Sequence, residues 1–363
     1  MTQSNTAIPL PKPTTPARAQ FTVRQLLAQL GFSPLGFALV LLLFALPWMP
    51  VFRQEHYLRW LIMGAFLAAQ AVAFDFTAGY INVVNFGFAA ILGLGAYTSA
   101  ILANTSPVLA IQPGISPWIG MFAGALVAGV VGLGLGILTL RLRGIYAAVM
   151  AWFVGLALLG LARNLVPLTR GPLGISPDQL MPNATSNRPY FYVILVMMLV
   201  VYVTLNLVVR SRYGLAFKAI GQNFDAARAS GINPTRFRVF NFTLSCAFAG
   251  WLGGFYAHYF GSLTPATVMV TAKTVEVLAI AYIGGRGSLW GGMVVAFPFV
   301  ILIELLRSNL TALPGLHLVI YGILMIMVMT YYPGGLAGVY YSILARLRSR
   351  RAGAAQTDAG AAH

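Results

Sequence analysis

The sequence predicts an all-α, polytopic membrane protein with about ten transmembrane helices, some of them Gly-rich and broken. Composition is the first ground: 59% of the 363 residues are hydrophobic and 8% are charged, with a mean hydropathy of +0.80. A soluble chain carries about 25% charged residues. The second is the grouping of apolar residues into ten runs near the ~20 residues that cross a bilayer. The third is that the basic residues sit between those runs and in the tails.

Taken in order, Met1–Gln20 is polar, holds four prolines with Lys12 and Arg18, and reads as a disordered tail. Residues 1–34 are assigned to it. The run Leu35–Val51 could pass for a signal-peptide core. It lies too far from the start and no small-residue cleavage site follows, so it is read as a span. The further spans are Tyr57–Phe74, Phe86–Ala103, Pro117–Leu140, Ile145–Leu161, Tyr190–Val209, Val239–Phe260, the short Lys273–Ile283, Leu289–Leu306 and Leu316–Tyr332. Residues 35–335 form the membrane domain and 336–363 a basic tail.

Charge tests the count. Starting inside, alternation places Arg141–Arg143, Arg210–Arg238, Arg286 and Arg346–Arg351 in the cytoplasm. It places Asn104–Ser116, Ser262–Ala272 and Arg307–Gly315 outside. Basic residues then concentrate inside, as the positive-inside rule requires. Arg163, Arg170 and Arg188 in Ala162–Pro189 are exceptions, in a long loop where the bias is weaker. Ten spans keep both termini cytoplasmic. The net charge of +16 therefore reports topology and not nucleic-acid binding.

The longest polar interruption is Arg210–Arg238, with Arg210, Arg212, Lys218, Arg228, Arg236 and Arg238. Leu215–Ser230 has helix-forming residues and no proline. Gly231 supplies a stop, and Asn233-Pro234 turns the chain back. The segment is expected to be one short helix outside the bilayer. The plainer reading is a basic loop held by anionic lipid. Asp225-Ala226-Ala227, with Arg228 and Gly231, makes a small-faced helix with a defined end, which lipid binding does not need. Such a face suits close approach by a soluble partner.

The chain holds no P-loop, HExxH, GxSxG or Cys/His zinc cluster, so no cofactor or metal is expected on it. His258 reads as a packed or interfacial residue, and the lone Cys246 as a small packed one. Among seven acids, Asp75, Glu276 and Glu304 fall in or beside apolar runs, where ionisable groups face the protein interior or a water path. Lys273–Glu276 and Glu304–Arg307 are spaced as same-face ion pairs. Asp75 has no basic neighbour in sequence. It opens a stretch with Gly79, Gly87, Gly93 and Gly95 and with the amides of Asn82 and Asn85. Broken helices occur where they line a cavity, while Gly at a spacing of four also signals close helix packing. On the first reading Asp75, Tyr80, Asn82 and Asn85 line a translocation path, the two amides near mid-depth. A second Gly-rich break is IGGRGSLWGG, over Ile283–Gly292.

YGLAFKAIGQNFDAARASGINPTRFRVFNF resembles the coupling-loop region of ABC-importer permeases, in the branched-chain amino-acid permease family. FDFTAGYINVVNFGFAAILGLGAYTSA, LRLRGIYAAVMAW, YAHYFGSLTP and YIGGRGSLWGG agree with it, and the resemblance covers roughly Tyr57 to Gly335. It implies one permease subunit of an importer in the bacterial plasma membrane. The implied partners are a second, homologous permease, two cytoplasmic ATP-binding subunits and an extracytoplasmic solute-binding protein, with ATP bound on the partners. It implies further that Asp225, Ala226, Ala227, Arg228 and Gly231 contact the ATPase. Members commonly carry acids where Gln222, Asn223 and Phe224 stand here, and Arg228 occupies a position where an acid is frequent. Leucine-type amino acids are the family default, with urea, amides and other amino acids as alternatives. An ion- or proton-coupled secondary transporter using Asp75 is a competing class. A membrane-embedded enzyme is disfavoured by the scarcity of catalytic residue types.

Overall fold

The computed structural model describes residues 34–50, 54–105, 113–139, 142, 144–309, 316–331, 334–340 and 342. The expectations placed on residues 1–33, on Arg141 and Arg143, on residues 106–112 and 310–315, and on residues 343–363 of the C-terminal basic tail lie outside the described residues.

Ten apolar helices stand where the ten runs were expected. They are α1 (Pro34–Ala45), α2 (Glu55–Ala78), α3 (Phe88–Leu102), α4 (Pro117–Leu138), α5 (Ile145–Asn164), α6 (Arg188–Arg210), α9 (Pro234–Phe260), α10 (Thr271–Gly284), α11 (Leu289–Asn309) and α12 (Leu316–Tyr331). Two short helices, α7 (Arg212–Gln222) and α8 (Phe224–Ala229), lie between α6 and α9. Among the described residues six segments are long and apolar enough to cross a membrane by length and composition, and α1 and α3 are shorter apolar helices. The described residues contain no strand beyond one isolated bridge, Ile175 to Leu263.

The central helix is α2. A helix apolar all round belongs inside a bundle. Accordingly α2 is buried almost throughout, with α6, α9, α10 and α11 packed about it. The tightest seam joins α4 and α9. Gly120, Gly124, Ala128, Gly132 and Gly136 recur every fourth residue on the buried face of α4. Small residues at that spacing let two backbones close together, and Gly124 and Gly132 meet Gly250 and Cys246 of α9. The opposite face of α4 shows Phe122, Leu126 and Val130, the surface a bilayer would cover.

α9 begins five residues before the expected Val239. Asn233 Oδ1 accepts the Arg236 N–H at 3.3 Å, and Pro234 takes the first helical position, where its missing N–H costs nothing. The helix therefore starts beyond the apolar stretch, with Arg236 exposed in its first turn and Arg238 buried one half-turn on.

Contacts sort the connections to two ends. At one end, α7 meets the α2–α3 loop, Arg286 meets Asn82, and Arg238 donates to the Leu142 carbonyl. At the other, Glu55 accepts from Ser186 and Asn187, Thr105 donates to Asp178, and Ile175 pairs with Leu263. The first end holds Arg210, Arg212, Lys218, Arg228, Arg236, Arg238 and Arg286, the set that alternation had placed together.

Candidate functional site

The segment between α6 and α9 is two helices, not the single Leu215–Ser230 helix expected. Asn223 breaks it. Its backbone is extended at φ −152°, and its Oδ1 accepts from the N–H groups of Asp225 and Ala226, both at 3.0 Å. A side chain that satisfies two orphan donors starts a new helix more readily than it continues an old one. In the sequence the position stands out only as one without an acid. The cap signature, Asn followed by Asp225 in the first turn, was present in the sequence.

Gly231 ends α8 as expected. Its φ is +81°, the Gly231 N–H reaches the Arg228 carbonyl and the Ile232 N–H the Ala227 carbonyl, both at 3.1 Å. This paired closure needs a left-handed residue, which glycine supplies without a Cβ penalty.

An aromatic cluster fixes α7. Phe217 is fully buried, with ring centroids 5.5 Å from Phe76 of α2 and 6.1 Å from Phe237 of α9. Tyr213 packs on Phe237 and Phe240. A Cβ at Gly221 would run into the Tyr80 carbonyl, so the backbone of α7 abuts the α2–α3 loop directly. Arg238 is buried as well, its guanidinium 5.8 Å from the Phe224 ring centre and 3.4 Å from the Leu142 carbonyl. It is an anchor between α8 and the α4–α5 connection rather than a loop charge. The paired alanines do not share a face. Ala226 is exposed together with Asp225, Arg228 and Gly231, while Ala227 is 4% exposed and turned into its own chain.

Next to α7 the two Gly-rich breaks meet. The Gly287 N–H donates to Asp75 Oδ1 at 2.9 Å, and Arg286 Nε donates to the Ala78 carbonyl at 3.3 Å. Arg286 Nη2 donates to Asn82 Oδ1, and Gly79 lies directly against the Gly287 backbone. These contacts clasp the end of α2 to the α10–α11 turn across more than 200 residues of sequence. Asp75, without a basic neighbour in sequence, has Arg286 close by in space. In the sequence Arg286 stands out only as a cytoplasmic charge and Gly287 only as part of the Gly-rich break, because no local pattern marks a pairing so distant.

The four residues read as a path lining separate accordingly. Asp75 and Tyr80 are buried under α7 and the clasp. Asn82 is exposed at the basic end, not at mid-depth, with φ +58°. Asn85 is 1% exposed, and its Oδ1 accepts the Gly87 N–H at 3.1 Å while its Nδ2 lies 3.9 Å from Cys246 Sγ. A buried amide satisfied in this way is a brace for the loop entering α3. Cysteine at Asn82 is therefore expected to react with a membrane-impermeant thiol reagent from the basic side, and cysteine at Asn85 to stay unreactive. Labelling at position 85 that depends on transport would restore the path reading for that residue.

His258 is packed, as expected: its Nε2 lies 2.8 Å from Ser99 Oγ and its Nδ1 2.6 Å from the Asp178 carbonyl. Lys273–Glu276 and Arg307–Glu304 form ion pairs at 2.9 and 3.2 Å. No group of three metal-ligating side chains occurs among the described residues.

A family model described as "Branched-chain amino acid transport system / permease component" matches residues 56–329, from the first turn of α2 into α12. The chain belongs to that family. The branched-chain permease LivM of Salmonella typhimurium is 28% identical over 288 residues, covering 71% of this chain and 64% of LivM. The probable branched-chain permease LivH of Methanocaldococcus jannaschii is 26% identical over 163 residues, 44% of this chain and 50% of LivH. The fructose import permease FrcC of Rhizobium meliloti is 32% identical over 112 residues, 29% of this chain and 30% of FrcC. The chain thus spans just under two thirds of LivM's length. No solved structure matches it. Both α7–α8 and the clasp fall inside the stretch that defines this permease family.

Proposed function

We propose that the chain is one transmembrane permease subunit of an ABC importer, moving branched-chain or related small amino acids or amides inward. It acts with a second, homologous permease and receives substrate from an extracytoplasmic solute-binding protein. Two cytoplasmic ATP-binding subunits hold and hydrolyse the ATP, so this chain is not an enzyme. The observation that carries the proposal is the build of α7–α8: a short polar projection bolted to α2 and α9 by Phe217, Gly221 and Arg238, with Asp225, Ala226, Arg228 and Gly231 facing outward. A lever that receives force must be stiff and tied to the spans, and this one is. Its arrangement favours ATP-driven coupling over a secondary transporter, because Asp75 serves as an acceptor inside the clasp. Co-purification tests this reading. The chain expressed with its neighbouring genes should bring down a P-loop ATPase, and uptake should stop when that ATPase is inactivated and persist when the membrane potential is collapsed. Uptake with the opposite dependence supports the secondary transporter.

The orientation follows from charge. The basic end, and both termini with it, lies in the cytoplasm of a bacterial plasma-membrane protein. A reporter fused after Ser106 is expected to be active only outside the cytoplasm, and activity confined to the cytoplasm would invert the topology.

A further inference from the structure

Arg163, Arg170 and Arg188 stand at the end opposite α7, where the positive-inside rule expects few basic residues. A long loop permits them there but gives no reason for them. Arg188 is engaged within its own chain: its guanidinium lies 5.8 Å from the Trp48 ring centre, with Glu55 close by. Arg163 and Arg170 are not. Among the described residues neither guanidinium has a hydrogen-bonding or ion-pairing partner. Nor does the chain supply an acid for them. Of its seven, Glu55 accepts from Ser186 and Asn187, Asp178 accepts from Thr105, and Glu276 and Glu304 pair with Lys273 and Arg307. Asp75 and Asp225 lie at the α7 end, and Asp358 belongs to the C-terminal tail.

The fold nevertheless brings the two positions together on a stiff mount. Thr169 Oγ1 donates to the Ala162 carbonyl at 2.7 Å and accepts the Gly171 N–H at 3.1 Å. The chain, folded back in this way, lays Gly171 against the Arg163 carbonyl with no room for a Cβ. Farther on, Ile175 pairs with Leu263 and the Leu180 N–H donates to the His258 carbonyl, which pins the loop to α9 and the segment after it. Arg163 has a local use as well, because a cation in the last turn of α5 suits the helix dipole. Arg170 has none. Its φ is +56°, in the left-handed region that glycine occupies without a Cβ penalty, and Gly171 beside it stands at φ +57°. Glycine would serve the backbone better at position 170, so the use of this arginine lies in its side chain.

What surrounds them is apolar and exposed. Val166 and Leu173 are 56% and 79% exposed, and Pro167 and Pro172 are exposed too. Apolar side chains on a rigid turn with arginine at the edge make the composition of a protein-binding surface. Lipid headgroups would take arginines from any loose loop and would not need the backbone held.

We propose that Arg163 and Arg170, with Val166 and Leu173 beside them, dock an acidic face of the extracytoplasmic solute-binding protein. The identity of the partner rests on the import reading above. The measurement is association of that purified protein, encoded beside the permease, with the complete importer in phosphatidylcholine nanodiscs. Opposite charges steer encounter, so the association rate carries the effect. Arg170→Glu is expected to slow association roughly tenfold, and Arg163→Gln and Arg170→Gly severalfold. Raising salt from about 50 to about 300 mM should slow the wild type by a similar factor and the doubly substituted importer far less. Arg170→Gly should also leave the melting temperature unchanged or higher, which separates a lost contact from a lost fold. Uptake by Arg170→Gly proteoliposomes should fall at low concentrations of the binding protein and recover at saturation. Association unchanged by Arg163→Gln, Arg170→Glu and salt would overturn the proposal and leave the import reading intact. Association that needs anionic lipid in the wild type would assign the arginines to headgroups and overturn it as well. A wild-type importer that binds no such protein and transports without it would remove the import reading, and the docking site with it.

Discussion

Replacing Ala226 with Trp is expected to leave the permease inserted and paired while cutting substrate-stimulated ATP hydrolysis and uptake about tenfold or more. Ala226 stands exposed on α8 beside Asp225 and Arg228, so a large side chain there is not forced into the core of its own chain. The cost arises only when a partner closes over the helix. Overpacking a tight contact costs about 1–3 kcal/mol, which is roughly tenfold or more in docked population. Gly231→Val should act in the same direction by another route. A Cβ at Gly231 has nothing within 4 Å, so the cost is conformational, about 1–2 kcal/mol for a branched residue at φ +81°. Relief of that strain re-aims the turn between α8 and α9. Ala227→Trp is different. At 4% exposure Ala227 packs inward, and its replacement should lower the yield of folded permease before docking is tested. The assays are ATPase co-purification, stimulated hydrolysis and uptake. Full ATPase recovery with normal uptake in both Ala226→Trp and Gly231→Val would remove α8 from the coupling contact.

The bundle was legible because a membrane chain declares its helices by composition. A bilayer accepts only backbone that satisfies its own hydrogen bonds, so an apolar run of sufficient length has little choice but to be a helix. Pro117 and Ile145 therefore begin helices where the runs begin, and Gly231 ends one where φ must turn positive. Features set by side chains reaching across the fold were less legible. Asn223 looks like any polar loop residue until its carbonyl oxygen is seen to take two backbone donors. Ala226 and Ala227 look equivalent until the rotation of a six-residue helix puts one outside and one in. The amides of Asn82 and Asn85 invited a single role, yet one meets Arg286 204 residues away and the other braces its own loop. Sequence spacing carries the period of a helix but not the register of one loop against another.

That register is set by backbone contact at Gly79, and Gly79→Ala is expected to be among the most damaging one-methyl changes in the chain. A Cβ there would stand 2.6 Å from the Gly287 Cα and would also press on the Asp75 carboxylate. Backbone lies on the far side, so no rotamer change relieves the overlap. The α2 end and the α10–α11 turn must part, and the Gly287 N–H bond to Asp75 weakens as they do. Overpacking of about 1–3 kcal/mol adds to the loss of a hydrogen bond to a charged group, about 1.5–3 kcal/mol. Arg286→Ala also loosens the clasp, but it removes an exposed contact to Asn82 and a half-buried one to the Ala78 carbonyl without forcing backbones apart. It should therefore cost less in thermal stability than Gly79→Ala. Because Tyr80, one residue on, abuts Gly221 of α7, opening the clasp also disturbs the seat of the projection. Gly79→Ala should lose coupled uptake in proportion to its lost stability. If Arg286→Ala instead proves the more destabilising of the two in a melting experiment, the exposed polar bonds hold this joint and the glycine contact merely permits it.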